Sequence, residues 1–407
     1  MSPSDPPPVP AALREADARL KRVIDVARLL PALTAENAVS ERARLVRDLA
    51  RGEAPSPRWQ LKKRRVAAEL WRCLEAARRA SRGTLAEPHY EARVEELDLE
   101  LSMLEALGEP KRVRPLSARR FGTGRDVVEG PDGPTTLADL ARMWLETLPA
   151  TQEPRVVPAT SPSGPSLASM MRAVARAASL DIDVEVEPRL TAGAATGDRT
   201  VFLADRRFGT TESLRFTVHE VLGHAVAAAN ARAQPIRLFQ LGTAGGFRIQ
   251  EGLAVTLEEQ AGVLDAYRRR ILAARVLVAD RMHQGARFGD TARWLHRDLG
   301  FDTTDAIGLA ERAYRGGGVA RDVGYLRGWL EVRAAVASGE TTVDHLRAGR
   351  VGLDVAKALP ALIEAGLARA PRYCPSLSVS RAATDGGTSR DTSPPSLAAS
   401  LTMLEET

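Results

Sequence analysis

Apolar positions recur at helical spacing through most of this chain and alternate at strand spacing in only two short places. Between residues 11 and 108 the helical period runs in three or four stretches. One of them carries the apolar set Leu61, Val66, Leu70 and Cys73, and Gly52, Pro55 and Gly83 mark breaks. Residues 109 to 134 are rich in Arg, Gly and Pro and read as a connector, after which Thr135 to Leu148 and Ser166 to Leu180 resume the helical pattern. Ile182 to Val186 then alternates with Ile, Val and Val on one face, and Thr200 to Leu203 is rich in β-formers. These two predict strands of one small sheet. From Thr210 the pattern is helical almost to Ala368, with interruptions at Pro235, Gly242 to Gly246 and Gly316 to Gly318. The predicted fold is mostly α with a small β-sheet, an α+β chain without internal repeats.

This organisation divides into a disordered arm at 1–12, a helical N-terminal region at 13–115, a connector and helix at 116–150, a second folded unit at 151–375, and a disordered tail at 376–407. At 407 residues the chain is long for a single hydrophobic core. Aromatic residues make up only 4%, so packing must rest on Leu, Val and Ala.

The net charge of +5 and the pI near 9.5 change this picture little, because basic and acidic residues are interleaved along the chain. The densest basic run, Lys62 to Arg65, falls in a stretch of helical period and reads as a solvated helix face. No nucleic-acid module accompanies it, and no nucleic-acid partner is expected. Cys73 and Cys374 are far apart and in no metal-like spacing, so neither a disulfide framework nor a cysteine metal site is implied. The opening MSPSDPPPVP lacks the apolar core of a signal peptide, and no uncharged apolar run reaches the roughly 18 residues of a membrane span. A cytoplasmic protein without a membrane partner is the expectation; its oligomeric state is left open.

The chemistry is concentrated in Phe216-Thr-Val-His219-Glu220-Val-Leu-Gly-His224. Neutral imidazoles suit zinc, and a carboxylate beside the first of them can accept a proton from water at the metal. The histidines are five residues apart, not the four of the HExxH motif. On a regular helix that spacing puts them about 140° apart, too far round to share one ion. A π-type widening between them would return both rings to one face, and Gly223 eases such a distortion. The alternative is an ordinary helix carrying two unrelated histidines. Downstream, Glu251 opens another helix after a Gly-rich break and offers a third ligand, leaving a coordination position for water as a catalytic zinc site requires.

His219-Glu220-x-x-x-His224 followed by Gln250-Glu251-Gly252-Leu253-Ala254 resembles the HExxxH metallopeptidase family that contains the microtubule-associated tyrosine carboxypeptidases, and in particular its bacterial branch of QEGLA-motif proteins. Arg232-Ala-Gln-Pro-Ile-Arg237 and the run from Arg312 to Gly328 are similar to further family signatures, so the resemblance spans about residues 20 to 375. It implies a gluzincin-like metallopeptidase core in residues 151–375. It also implies one Zn2+ per chain on His219, His224 and Glu251, with Glu220 as catalytic acid and base. The eukaryotic relatives remove a C-terminal tyrosine from tubulin; the substrate of this branch does not follow from the resemblance.

Arg312 and Arg315 lie one helical turn apart and can present a donor fork to the carboxylate of a peptide or protein C-terminus. Tyr325 can donate to an oxyanion. The plainer reading of these residues is a salt bridge to Asp322 and a buried phenol. Gln250 is placed to orient a ligand through its amide, whereas His283, His296 and His345 read as isolated surface or core residues. The expected activity is therefore that of a zinc carboxypeptidase. An endopeptidase would instead pair substrate with the Thr200 to Leu203 strand. A protein of another class, a non-catalytic zinc-containing regulator or scaffold, would have no use for Glu220.

Overall fold

The computed structural model describes residues 9–62, 65–130 and 133–376. The N-terminal part is a stack of helices in which the amphipathic Ala11–Val26 and Ala68–Ser81 pack with the more fully buried Glu87–Ala106. Leu13, Leu20 and Val23 face Leu70, Leu74, Leu97 and Leu101, all buried, which is the one-sided stripe a 3.6-residue period creates. Tyr90 donates to Asp17 Oδ1 at 2.7 Å, and Asp17 Oδ2 accepts the backbone N–H of Arg237 at 2.7 Å. That carboxylate joins the N-terminal helices to the chain beyond the histidine segment. The apolar cluster of Leu13, Leu97 and Leu101 is continuous with Leu203, Val221, Leu253 and Leu359. A second cluster surrounds helix Ala266–His283.

Three local expectations are corrected. The helix that carries Leu70 and Cys73 begins at Ala68, so Leu61 and Val66 precede it. Arg58 and Gln60 are tied to Asn37, Glu36 and Glu41 by hydrogen bonds, which hold the chain out of helical register before Leu61. Lys62 pairs with Glu36 at 3.1 Å, and Lys63 and Arg64 lie outside the described residues. The connector at 109 to 134 contains helix Pro110–Phe121 and an antiparallel hairpin of Val127–Gly130 with Gly133–Thr136. Pro110 occupies a first-turn position where its missing N–H costs nothing, and Val113, Ser117 and Phe121 bury one face. The first helix starts at Ala11, inside the expected N-terminal arm; residues 1–8 and 377–407 lie outside the described residues.

The sheet is small and lies beside the histidine segment. Asp183–Val186 pairs in parallel with Thr200–Leu203, whose other side pairs antiparallel with Ala194–Thr196. Thr200–Leu203 is thus the central strand, and Asp183–Val186 and Ala194–Thr196 are the edges. Among the described residues no helix is long and apolar enough to cross a membrane. The α+β class read from the periodicity is the class observed.

Candidate active site

The histidine segment begins as helix Thr210–Phe216, whose first N–H groups, at Thr211 and Glu212, donate to the Glu153 carboxylate at 3.0 and 2.7 Å. An acid at a helix N-terminus satisfies those orphan donors and meets the positive end of the dipole. From Thr217 to Ala225 the helix widens to π geometry, then continues as α over Val226–Arg232. In a π turn the hydrogen bond spans five residues, so side chains five apart lie one above the other. His219 and His224 consequently share a face, with ring centroids 4.8 Å apart and planes at 83°. Gly223 also serves this arrangement through packing. A Cβ there would stand 3.1 Å from Ala254 Cβ, so its bareness admits the neighbouring helix Gly246–Gln260.

That neighbouring helix follows Gly245, its cap residue in the left-handed conformation with φ 69°, and delivers Glu251 to the histidines. His219 Nε2 stands 3.2 Å from His224 Nε2 and 3.3 Å from Glu251 Oε2, and His224 Nε2 is 3.6 Å from the same oxygen. Ligand atoms around a tetrahedral ion with bonds of about 2.1 Å are about 3.4 Å apart, so the three donors have the spacing of one face of such a site. Glu251 Oε2 is buried without a hydrogen-bond partner among the described residues. The donor set fits a small divalent cation. Burial works against charge on His219, but the adjacent carboxylates of Glu251 and Glu258 outweigh it and push the imidazole up to about 9. Burial likewise opposes ionisation of Glu251, yet the His219 and His224 imidazoles beside it hold it well below the usual carboxylate range.

Glu220 lies beside the triad, buried, with Oε2 accepting a 2.7 Å hydrogen bond from the Thr196 hydroxyl on an edge strand. Thr196 was not legible as a site residue, because the pairing joins positions 24 apart through the sheet. Glu258 was also missed. It accepts from His219 Nδ1 at 2.7 Å and is itself held by Arg268. The available signal was its place seven residues after Glu251, two turns along the same helix face. Gln250, by contrast, spends its amide on the carbonyls of Leu346 and Val351, not on a ligand.

A cleft of about 1450 Å³ opens over the triad, and Glu220, Tyr325, Arg312 and Arg315 line it. The Tyr325 ring stacks on His219 at 6.5 Å and 13°, with the Arg275 guanidinium 4.3 Å from its centroid. Burial and the nearby Glu251 charge raise its phenol above the ordinary value, so it stays a donor. Arg312 donates through Nε to Asp322, which also sits 3.4 Å from Arg275 Nε. Arg315 has no ion-pair partner among the described residues, and its Nε is buried without a hydrogen bond. Three guanidinium groups therefore surround one carboxylate. Burial first and repulsion from Arg312 second bring Arg275 and Arg315 down to about 10. Surplus positive charge at the side of the cleft is the result. His283, His296 and His345 are absent from the cleft lining. Thr200–Leu203 is paired on both sides and offers no free edge there.

Residues 50–385 match the model of the microtubule-associated tyrosine carboxypeptidase family. The chain belongs to this family. A comparison with curated proteins finds no match. The tyrosine carboxypeptidase match contains every residue of the triad, Glu220, Tyr325 and the arginine cluster. It begins later than the motifs suggested, leaving out Ala11–Val26 although that helix shares the core. By its membership the chain sits in a peptidase family.

Proposed function

We propose that this protein is a zinc-dependent carboxypeptidase that hydrolyses the last peptide bond of a protein or peptide chain. The observation that carries the reading is the spacing of 3.2 to 3.6 Å among His219 Nε2, His224 Nε2 and Glu251 Oε2, with the Glu220 carboxylate beside them. Zinc held by these three donors supplies Lewis acidity toward water and the scissile carbonyl. Glu220 takes a proton from the attacking water at Oε1 and delivers it to the leaving amine, so that one carboxylate serves as base and then as acid. Thr196 holds Oε2 of the same carboxylate and leaves Oε1 to do this. Tyr325, kept protonated by its surroundings, donates to the developing oxyanion.

The activity for which the family is named supports the carboxypeptidase mode, and the arginine cluster supports it independently. Arg312 is engaged by Asp322, so Arg315 carries the uncompensated charge for a terminal carboxylate, and Arg312 braces it. Purified protein should hold one zinc, and a susceptible peptide should lose its last residue. The C-terminally amidated form of that peptide should be cut far more slowly, and Arg315→Ala should slow the free acid by a similar factor. Equal rates on acid and amide remove the carboxypeptidase assignment, and a zinc-loaded protein inert toward a broad peptide library favours a non-catalytic regulator.

A further inference from the structure

We propose that Glu258 is a positioning residue for the metal site: it fixes His219 in the tautomer protonated at Nδ1, so that the Nε2 lone pair faces His224 and Glu251. The inference rests on the zinc reading above and adds a residue that no motif marks. Glu258 is fully buried, an environment that a carboxylate occupies only when its charge is matched. Its Oε1 lies 2.7 Å from His219 Nδ1, while Arg268 donates to it twice, Nε to Oε2 and Nη2 to Oε1, each at 2.9 Å. The bidentate guanidinium keeps Glu258 ionised in an apolar setting, and an ionised carboxylate can only accept. His219 Nδ1 must therefore carry the proton, and with Nδ1 committed, Nε2 is the atom left for a metal.

The two histidines differ in this respect. Among the described residues the one hydrogen bond of His224 runs to His219 Nε2, so His219 alone has an outer anchor. Its ring is further confined by the stacked Tyr325. Glu251 and Glu258 sit two turns apart on one helix, which places a ligand and the orienter of another ligand on a single rigid element. Arg268 comes from the start of the next helix, Ala266–His283, so the turn between the two helices sets the anchor. A carboxylate at Nδ1 also raises the basicity of Nε2, which strengthens it as a ligand.

The test uses the full chain stripped of metal and titrated with zinc against a chromophoric chelator. Glu258→Gln should bind zinc about 10- to 100-fold more weakly, and its cobalt-substituted form should show a shifted visible spectrum. Because that variant orphans Arg268, the double variant Glu258→Gln with Arg268→Gln removes both charges and should show the same weakening. In zinc-loaded wild-type protein, long-range nitrogen–proton NMR of the imidazoles should find the His219 proton on Nδ1. A purely structural Glu258 would lower stability and leave zinc affinity and the cobalt spectrum alone. Wild type that binds zinc, with both variants matching its affinity and spectrum, overturns the inference and leaves the functional reading standing. A His219 proton on Nε2 in the zinc-loaded protein overturns it without any variant. Wild type that binds no zinc removes the functional reading, and this one with it.

Discussion

Replacing Gly252 by alanine should disable the site without touching a ligand. Helix Gly246–Gln260 crosses helix Val323–Ala337 at two glycines, Gly252 and Gly328. A Cβ on residue 252 would stand 2.1 Å from the Gly328 carbonyl carbon, 2.2 Å from its oxygen and 2.7 Å from Trp329 N. All three are backbone atoms, so no side chain can rotate aside. Ordinary contact begins at 3.4 Å, and the helices must therefore part by about 1.3 Å at the crossing. Overpacking of this kind costs about 3 kcal/mol when the neighbours cannot yield. Glu251 adjoins the crossing and Tyr325 lies one turn before Gly328, so both move relative to His219. A metal site tolerates about 0.2 Å in its bond lengths. Zinc affinity should fall at least about 100-fold, above what loss of an outer partner brings. The assays are denaturant unfolding of the metal-free chain and zinc titration against a chelator. Gly308→Ala is the control: nothing lies within 4 Å of its Cβ, and in mid-helix it should be neutral or stabilise by up to about 1 kcal/mol. A Gly252→Ala protein that unfolds at the wild-type midpoint and binds zinc as wild type does would show that the helix crossing does not set the position of Glu251.

Three further outcomes are expected. Glu220→Gln should retain zinc and lose turnover by about 10² to 10⁴, the usual worth of a placed acid or base; retained zinc with near-normal turnover takes Glu220 out of the chemistry. Thr196→Val keeps shape but removes the hydroxyl bonded to Glu220, and it should lower kcat about 10-fold, the equivalent of one hydrogen bond, with zinc content unchanged in elemental analysis. In the metal-free chain His219 is raised from 6.5 to about 9, so its contribution is complete below pH 6.5 and is lost as pH climbs toward 9. Denaturation midpoints should fall over that window without metal and hold steady with zinc bound, and flat midpoints for the metal-free chain would contradict the charge assigned to His219.

Periodicity and spacing made a good deal of this molecule legible. The five-residue interval between His219 and His224 demanded a widened helix if one ion was to be shared, and the helix is π over Thr217–Ala225. That inference holds because helix geometry is local and a residue count fixes an angle. The strands at Asp183–Val186 and Thr200–Leu203 were visible for the same reason, whereas their parallel pairing and the edge position of Ala194–Thr196 were not. The Arg312 to Asp322 bond belonged to the plainer reading of that segment. Tertiary structure alone decided the rest: that Thr196 grips Glu220, that Glu258 and Arg268 back His219, that Gly252 meets Gly328, and that Leu13 shares a core with Leu253. These contacts depend on which faces meet across long stretches of chain. Burial then gives them their strength, since a carboxylate such as Glu258 acquires its partner's grip only once water has been excluded from both.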